Sequence, residues 1–274
     1  MKKTDIVVLG GGVIGLSIAL RMVNAGREVI LIDCEKPGTG TSFGNAGTIA
    51  EYAVLPVGSP EIIRKLPSLL FNKNSPITIK RSAILSLCPW LIRFLYQSMP
   101  KNAARNAQAI ANLLQNSRHR WEELSSQIGG KSILKTNGSI YLYHSKGLFE
   151  SGLQDINKRK KLGLNAEMLN LDELKKLEPN LNLSAGGASY FPECAYMSDP
   201  GKMLKLLLNS SLNKGCQIVK QSATRIERTS KGVQVHLDGQ LPIKAKHLVV
   251  SAGAYSKKFA KQVGDNIPLD SERG

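Results

Sequence analysis

Asp5-Ile6-Val7-Val8-Leu9-Gly10-Gly11-Gly12-Val13-Ile14-Gly15-Leu16-Ser17-Ile18-Ala19-Leu20-Arg21-Met22 is the stretch that decides the fold. After Asp5, Ile6 to Leu9 form a short apolar run, β-branched at Ile6, Val7 and Val8, which suits a buried parallel strand. Three glycines break the run. From Val13 the apolar residues recur at helical spacing until Gly26, which reads as a C-terminal cap. Glu28-Val29-Ile30-Leu31-Ile32-Asp33 then reads as a second strand. Two strands joined through one helix by short links make a right-handed parallel crossover.

Within that unit Gly10-x-Gly12-x-x-Gly15 has the spacing of a dinucleotide-binding turn, and each glycine has its own reason. Gly10 permits the tight turn, Gly12 lets the backbone approach a pyrophosphate, and Gly15 lets helix and strand pack closely. The helix N-terminus offers N–H donors and a partial positive charge to the phosphates, along Gly10, Gly11, Gly12, Val13, Ile14 and Gly15. Asp33, eighteen residues beyond Gly15, stands where a carboxylate accepts hydrogen bonds from both ribose hydroxyls of an adenosine, with Cys34 beside it. That carboxylate repels a 2′-phosphate, which disfavours NADP.

Outward from this unit, residues 36–60 are rich in Gly, Pro, Ser and Thr and read as a long loop, of the kind that wraps a ligand. Residues 60–127 are mainly helical in pattern, with breaks expected at Pro67, Pro76, Pro89 and Pro100 and one long helix over 101–128. A strand is expected over 138–143, helices over 151–162 and 171–177, then an α/β return after Pro200. The return comprises a helix over 202–214 closed by Gly215, a strand over 217–220, a hairpin pairing 223–228 with 233–237, and a strand over 246–251.

Composition sets the bounds. The chain has 274 residues, 42% hydrophobic and 21% charged, enough to bury a core and too apolar for a disordered chain. Ile6 to Leu20 is short of the ~20 residues that cross a bilayer, and its glycines exclude a secretory signal, so a cytosolic setting is expected. Cys34, Cys88, Cys194 and Cys216 form no CxxC pair and read as buried, inert thiols; the four histidines show no metal-ligand spacing, and no metal is expected. The net charge of +16 favours anionic partners, yet no RNA- or DNA-recognition signature accompanies it, and nucleic acid is not an expected partner. Ser82 to Tyr96 is apolar on nearly all sides and flanked by Lys80, Arg81 and Lys101. It reads either as a helix buried in the second domain or as an interfacial helix on an anionic membrane, with Trp90 and Tyr96 at head-group level.

The glycine fingerprint does not by itself separate FAD from NAD. The loop Pro37-Gly38-Thr39-Gly40-Thr41-Ser42-Phe43-Gly44-Asn45-Ala46-Gly47, taken with the glycine fingerprint and the late Val249-Val250-Ser251-Ala252-Gly253-Ala254-Tyr255-Ser256 segment, resembles the FAD-dependent D-amino-acid oxidase family. Its Thr-Ser-x-x-Asn-Ala-Gly form is most similar to that of the D-amino-acid dehydrogenases. The resemblance covers essentially the whole chain, through Ile267-Pro268-Leu269-Asp270-Ser271-Glu272-Arg273-Gly274. It implies an α/β fold, with a Rossmann-like FAD-binding domain and an inserted α+β substrate domain that is incomplete at the C-terminus. Residues 1–60 and 200–260 would form the first, and 61–199 with 261–274 the second. It implies non-covalent FAD, with Thr41, Ser42, Asn45, Ala46 and Gly47 at the ribityl and ring end, Ala223 at the adenine, and Ala252-Gly253 near the adenosine and pyrophosphate.

The implied reaction removes a hydride from the α-carbon of a neutral amine to flavin, giving an imino acid that water hydrolyses to a keto acid and ammonia. Roughly a third of the family's usual chain is absent here, and the residues that grip substrate usually lie in that portion. No catalytic residue is therefore carried over; Tyr52, just past the loop, is the polar aromatic nearest to it in sequence. Three readings stand: an FAD-dependent oxidoreductase acting on D-amino acids or related amines in a truncated form, a non-catalytic FAD-binding chain that needs a second subunit, and an NAD-dependent dehydrogenase, which the 41–47 loop argues against.

Overall fold

The computed structural model describes residues 2–64, 84–181 and 186–269. Pro67, Pro76, Lys80 to Ala83 and the 270–274 segment lie outside them. The described chain divides into two compact units: residues 1–47, 122–135 and 197–274 in one, and 48–121 with 136–196 in the other.

The first unit opens with β1 (Lys3–Leu9), α1 (Val13–Asn24) and β2 (Val29–Asp33), as the sequence predicts. It continues with β4 (Leu134–Lys135) and α7 (Pro200–Asn213) and is completed by β9 (Gln217–Lys220), β10 (Ala223–Thr229), β11 (Gly232–Leu237), β12 (Gln240–Val250) and α8 (Ser256–Gln262). The six strands lie in the order β10-β11-β12-β1-β2-β9. Parallel pairing runs from β12 through β1 and β2 to β9, while the β10–β11–β12 edge is antiparallel. β12 begins six residues earlier than expected because its first half pairs with β11 and only its second half reaches β1. One sheet face buries Val7, Leu9, Ile30, Ile32, Ile226, Val235 and Ile243 under Phe259 of α8. Each such side chain contributes about 1.5–3 kcal/mol of transfer free energy. On α1, Leu16, Ala19 and Leu20 are buried, and the helix packs against α7 (Pro200–Asn213), which buries Met203, Leu204 and Leu207.

In the second unit come β3 (Thr48–Ile49), α2 (Ile84–Ser98), α3 (Pro100–Leu114), α4 (Ser117–Gln127, whose last turns belong to the first unit), β5 (Ser139–Tyr143), α5 (Lys146–Lys161), β6 (Glu167–Leu169), α6 (Leu171–Leu177), β7 (Gly187–Phe191) and β8 (Ala195–Met197). β7 is the centre of an antiparallel sheet with β5 and β6 on either side. Tyr52 stacks on Phe191 at 4.3 Å between ring centroids and meets Tyr141 edge-on, and the Arg159 Nε donates to the Tyr52 carbonyl.

Three expectations need correction here. Pro89 does not end a helix but lies inside α2: a proline forfeits one ladder bond, and the half-buried Leu91, Phe94 and Leu95 hold the helix by their packed face. The long helix over 101–128 is two helices. Asn116 adopts a left-handed φ of 62° between them, and the Glu51 carboxylate accepts from the Ser117 hydroxyl and the Arg118 N–H to cap the second. The thiols are not uniformly buried: Cys194 and Cys216 are, Cys88 is half-buried and Cys34 is exposed.

α2 does not bury its whole surface. Trp90, Ile92 and Tyr96 are 57%, 68% and 57% exposed, with Trp90 stacked on Phe94. Among the described residues no helix is long and apolar enough to cross a membrane.

Candidate functional site

The site is built where β1, β2 and β12 end on the same edge of the parallel sheet, which is where ligands sit in open α/β folds. β1 passes into the glycine turn with Gly10 at φ +104°, a conformation open to glycine and strained for any side chain. A methyl group at Gly10 would lie 2.4 Å from the Ser251 carbonyl oxygen, and one at Gly15 would lie 1.8 Å from the Gly10 carbonyl oxygen. Both positions are closed by backbone. Gly12 is different: the nearest atom to a methyl there is the Ser42 hydroxyl oxygen, at 3.2 Å.

The polar groups of the turn divide into those the protein satisfies and those it leaves open. Gly11 N–H donates to Asp33 Oδ2 at 2.6 Å, and Val13 N–H to Ser42 Oγ at 3.1 Å. Among the described residues the N–H groups of Gly12, Ile14 and Gly15 meet no protein acceptor. Asp33 uses its second oxygen to accept from Glu35 N–H at 2.9 Å, so the carboxylate holds its own loop as well as the turn. Gly38 N–H closes the other side by donating to the Gly11 carbonyl at 2.8 Å.

The loop residues reach the turn in part. Ser42 touches it directly, whereas Thr41, Asn45 and Ala46 are exposed. Asn45 Oδ1 accepts from Gly47 N–H in an Asx turn, and the buried Gly47, at φ +77°, is locked by Met197 N–H donating to its carbonyl. Ala252 backs directly onto Gly10, and Gly253 follows at the start of a short 3-10 turn over 253–255. Ala223 stands apart from the turn at the head of β10, opposite Leu237, two residues beyond Gln221, whose N–H donates to the Asp33 carbonyl. Cys34 is exposed beside Asp33, and Tyr52 belongs to the aromatic stack of the second unit. Pro37, Gly38 and Ser251 stand in the stretches that carry the resemblance, but no role at the turn was read for them, because a serine or proline in a loop carries no spacing signal of its own. Among the described residues no group of three or more His, Cys, Asp or Glu is placed to hold a metal ion.

A glycine turn at the carboxyl edge of a parallel sheet, with one open glycine, unclaimed helix N-terminal amides and an acid at the end of the second strand, has the form of a dinucleotide-binding fold. The chain belongs to the FAD-dependent oxidoreductase family DAO, whose model matches residues 5–274. It is 30% identical over 272 residues to a D-amino-acid oxidase of Bradyrhizobium diazoefficiens, covering 98% of this chain and 64% of that protein. A D-amino acid dehydrogenase of Rhizobium rhizogenes is 25% identical over 280 residues, 98% of this chain and 66% of the relative. The chain thus spans slightly less than two thirds of the length of either. A glycine oxidase structure from Geobacillus kaustophilus matches in fold with a TM-score of 0.67 at 20% identity, over 96% of this chain and 59% of that one.

Proposed function

We propose that the chain binds FAD at the glycine turn and serves an oxidative deamination of amino acids, D-amino acids foremost, or of related amines. The observation that carries the cofactor is the contrast among the three glycines: two are closed by backbone and the third opens to a surface bearing unclaimed amides. A pyrophosphate laid over Gly12 would be met by the N–H groups of Gly12, Ile14 and Gly15 at the start of α1. Gly10 and Gly11 shape that approach, and Val13 anchors Ser42 to it. Asp33 and Cys34 would face the adenosine ribose, Ala223 the adenine, and Ala252-Gly253 the adenosine and pyrophosphate. Thr41, Ser42, Asn45, Ala46 and Gly47 would line the ribityl and ring end.

Bound FAD supplies the hydride acceptor. The chain's part is to orient the cofactor and exclude water, with no acid or base from its own side chains assigned. On this reading the unit of residues 1–47, 122–135 and 197–274 is the cofactor part and the other unit the substrate part. The relatives named D-amino-acid oxidase and D-amino acid dehydrogenase support the substrate class. The test is a calorimetric or fluorescence titration of the purified chain with FAD and, separately, NAD. Tighter binding of FAD is expected; tighter binding of NAD overturns the proposal.

A second reading adds a peripheral contact with an anionic membrane. It is favoured by the exposed Trp90, Ile92 and Tyr96, which share one side of α2 with the cationic Arg93.

A further inference from the structure

We propose that Ser251 is a positioning residue for the dinucleotide turn, a clasp that comes from the end of β12 and presets the amides of the turn before any ligand arrives. The inference rests on the FAD reading and deepens it. The Ser251 hydroxyl lies 3.0 Å from the Leu9 carbonyl oxygen and 3.1 Å from that of Gly10, and it donates across the pair. Ser251 N–H already donates to the Leu9 carbonyl at 2.8 Å, as the ladder requires, so the hydroxyl bond is an addition to regular strand pairing.

What makes the addition consequential is the peptide it grips. The Gly10 carbonyl and the Gly11 N–H belong to one planar unit. Its oxygen is taken by Ser251 and its N–H by Asp33 Oδ2, at the ends of strands on opposite sides of β1. A glycine-glycine peptide is otherwise the most freely rotating unit in a chain. With that unit pinned at both ends, and the next one held by Gly38 N–H donating to the Gly11 carbonyl, the direction of Gly12 N–H, one of those left open, is set. The fit leaves no slack: a methyl at Gly15 would stand 2.8 Å from Ser251 Oγ as well as against the Gly10 carbonyl. A turn fixed in advance binds more tightly because the ligand does not have to order it.

The experiment uses the full chain with Ser251→Ala and Ser251→Cys, the latter keeping the shape with a feeble donor. Three quantities are read: FAD affinity, amide hydrogen exchange at Gly11, whose N–H is bonded to Asp33, and the melting temperature of the FAD-free chain. Expected for Ser251→Ala is an FAD affinity about five- to tenfold weaker, the range of one lost hydrogen bond. Faster exchange confined to Gly11 and a nearly unchanged melt should accompany it, with Ser251→Cys falling between. Wild-type affinity together with wild-type exchange in Ser251→Ala overturns the proposal. So does faster exchange spread evenly along β1 and β12, which marks a merely structural bond. If Ser251→Ala does not fold, Ser251→Cys decides on the same criteria. If the wild-type chain itself binds no FAD, the cofactor reading fails, and exchange at Gly11 still decides the clasp.

Discussion

A side chain at Gly10, Gly12 or Gly15 would meet three different surroundings, and so the three positions answer to mutation differently. Gly15→Ala drives a methyl into the Gly10 carbonyl, a backbone atom with nowhere to go. Overpacking of this kind costs roughly 1–3 kcal/mol or more, and chemical denaturation should record it whether or not cofactor is present. Gly12→Val faces only the Ser42 hydroxyl, a movable neighbour, yet it fills the approach to the open amides. It should abolish FAD binding while the FAD-free chain melts close to wild type; wild-type affinity in this variant would mean that the open glycine faces no ligand. The fingerprint was legible because it depends on spacing. The bonds of Asp33 and Ser42 to the turn's own amides were not, since short polar side chains choose partners from whatever the fold delivers.

Elements were legible where a local signal marked them. Leu171–Leu177 appears as expected because Asn170 and Glu173 form a capping box, each side chain accepting from the other's backbone N–H. Asn170→Ala should lower stability by about 1 kcal/mol without altering FAD affinity, a difference that paired denaturation and titration curves would show. Elements set by distant partners escaped. The break at Asn116 owes its cap to Glu51, 66 residues earlier, and the extra length of β12 comes from pairing with β11. Between elements, Lys158 of α5 bonds Glu61 at 3.0 Å. The Glu61 carboxyl is held at about 2 by its own backbone N–H and by that ammonium. Because its folded value is depressed, its contribution is full above the ordinary value near 4.5 and fades as pH falls toward 2. Both groups are well exposed, so the effect is roughly 0.2–1 kcal/mol. The stability gap between wild type and Glu61→Gln should narrow over that acid interval; a gap independent of pH would discount the pair.

For the molecule as a whole, the surplus of +16 and the apolar face of α2 make one joint prediction. The chain should co-sediment with anionic vesicles at low ionic strength and release with added salt, while Trp90→Ala with Tyr96→Ala should reduce the bound fraction severalfold. Absence of binding at low salt removes the membrane reading and leaves the cofactor reading untouched. Fold class was readable from the sequence because a βαβ unit is local, whereas the sheet's strand order was not, since pairing between β1 and β12 spans almost the entire chain. That span has a consequence in time. The first strand leaves the ribosome with β2 as a neighbour, but the serine that grips its turn follows 242 residues after Leu9. At ~5–20 residues per second of synthesis, one flank of the nascent strand waits on the order of 10–50 seconds for its partner. Through that interval the dinucleotide turn has no clasp, so a cell making this protein must shield an unpaired apolar edge before it can load a cofactor.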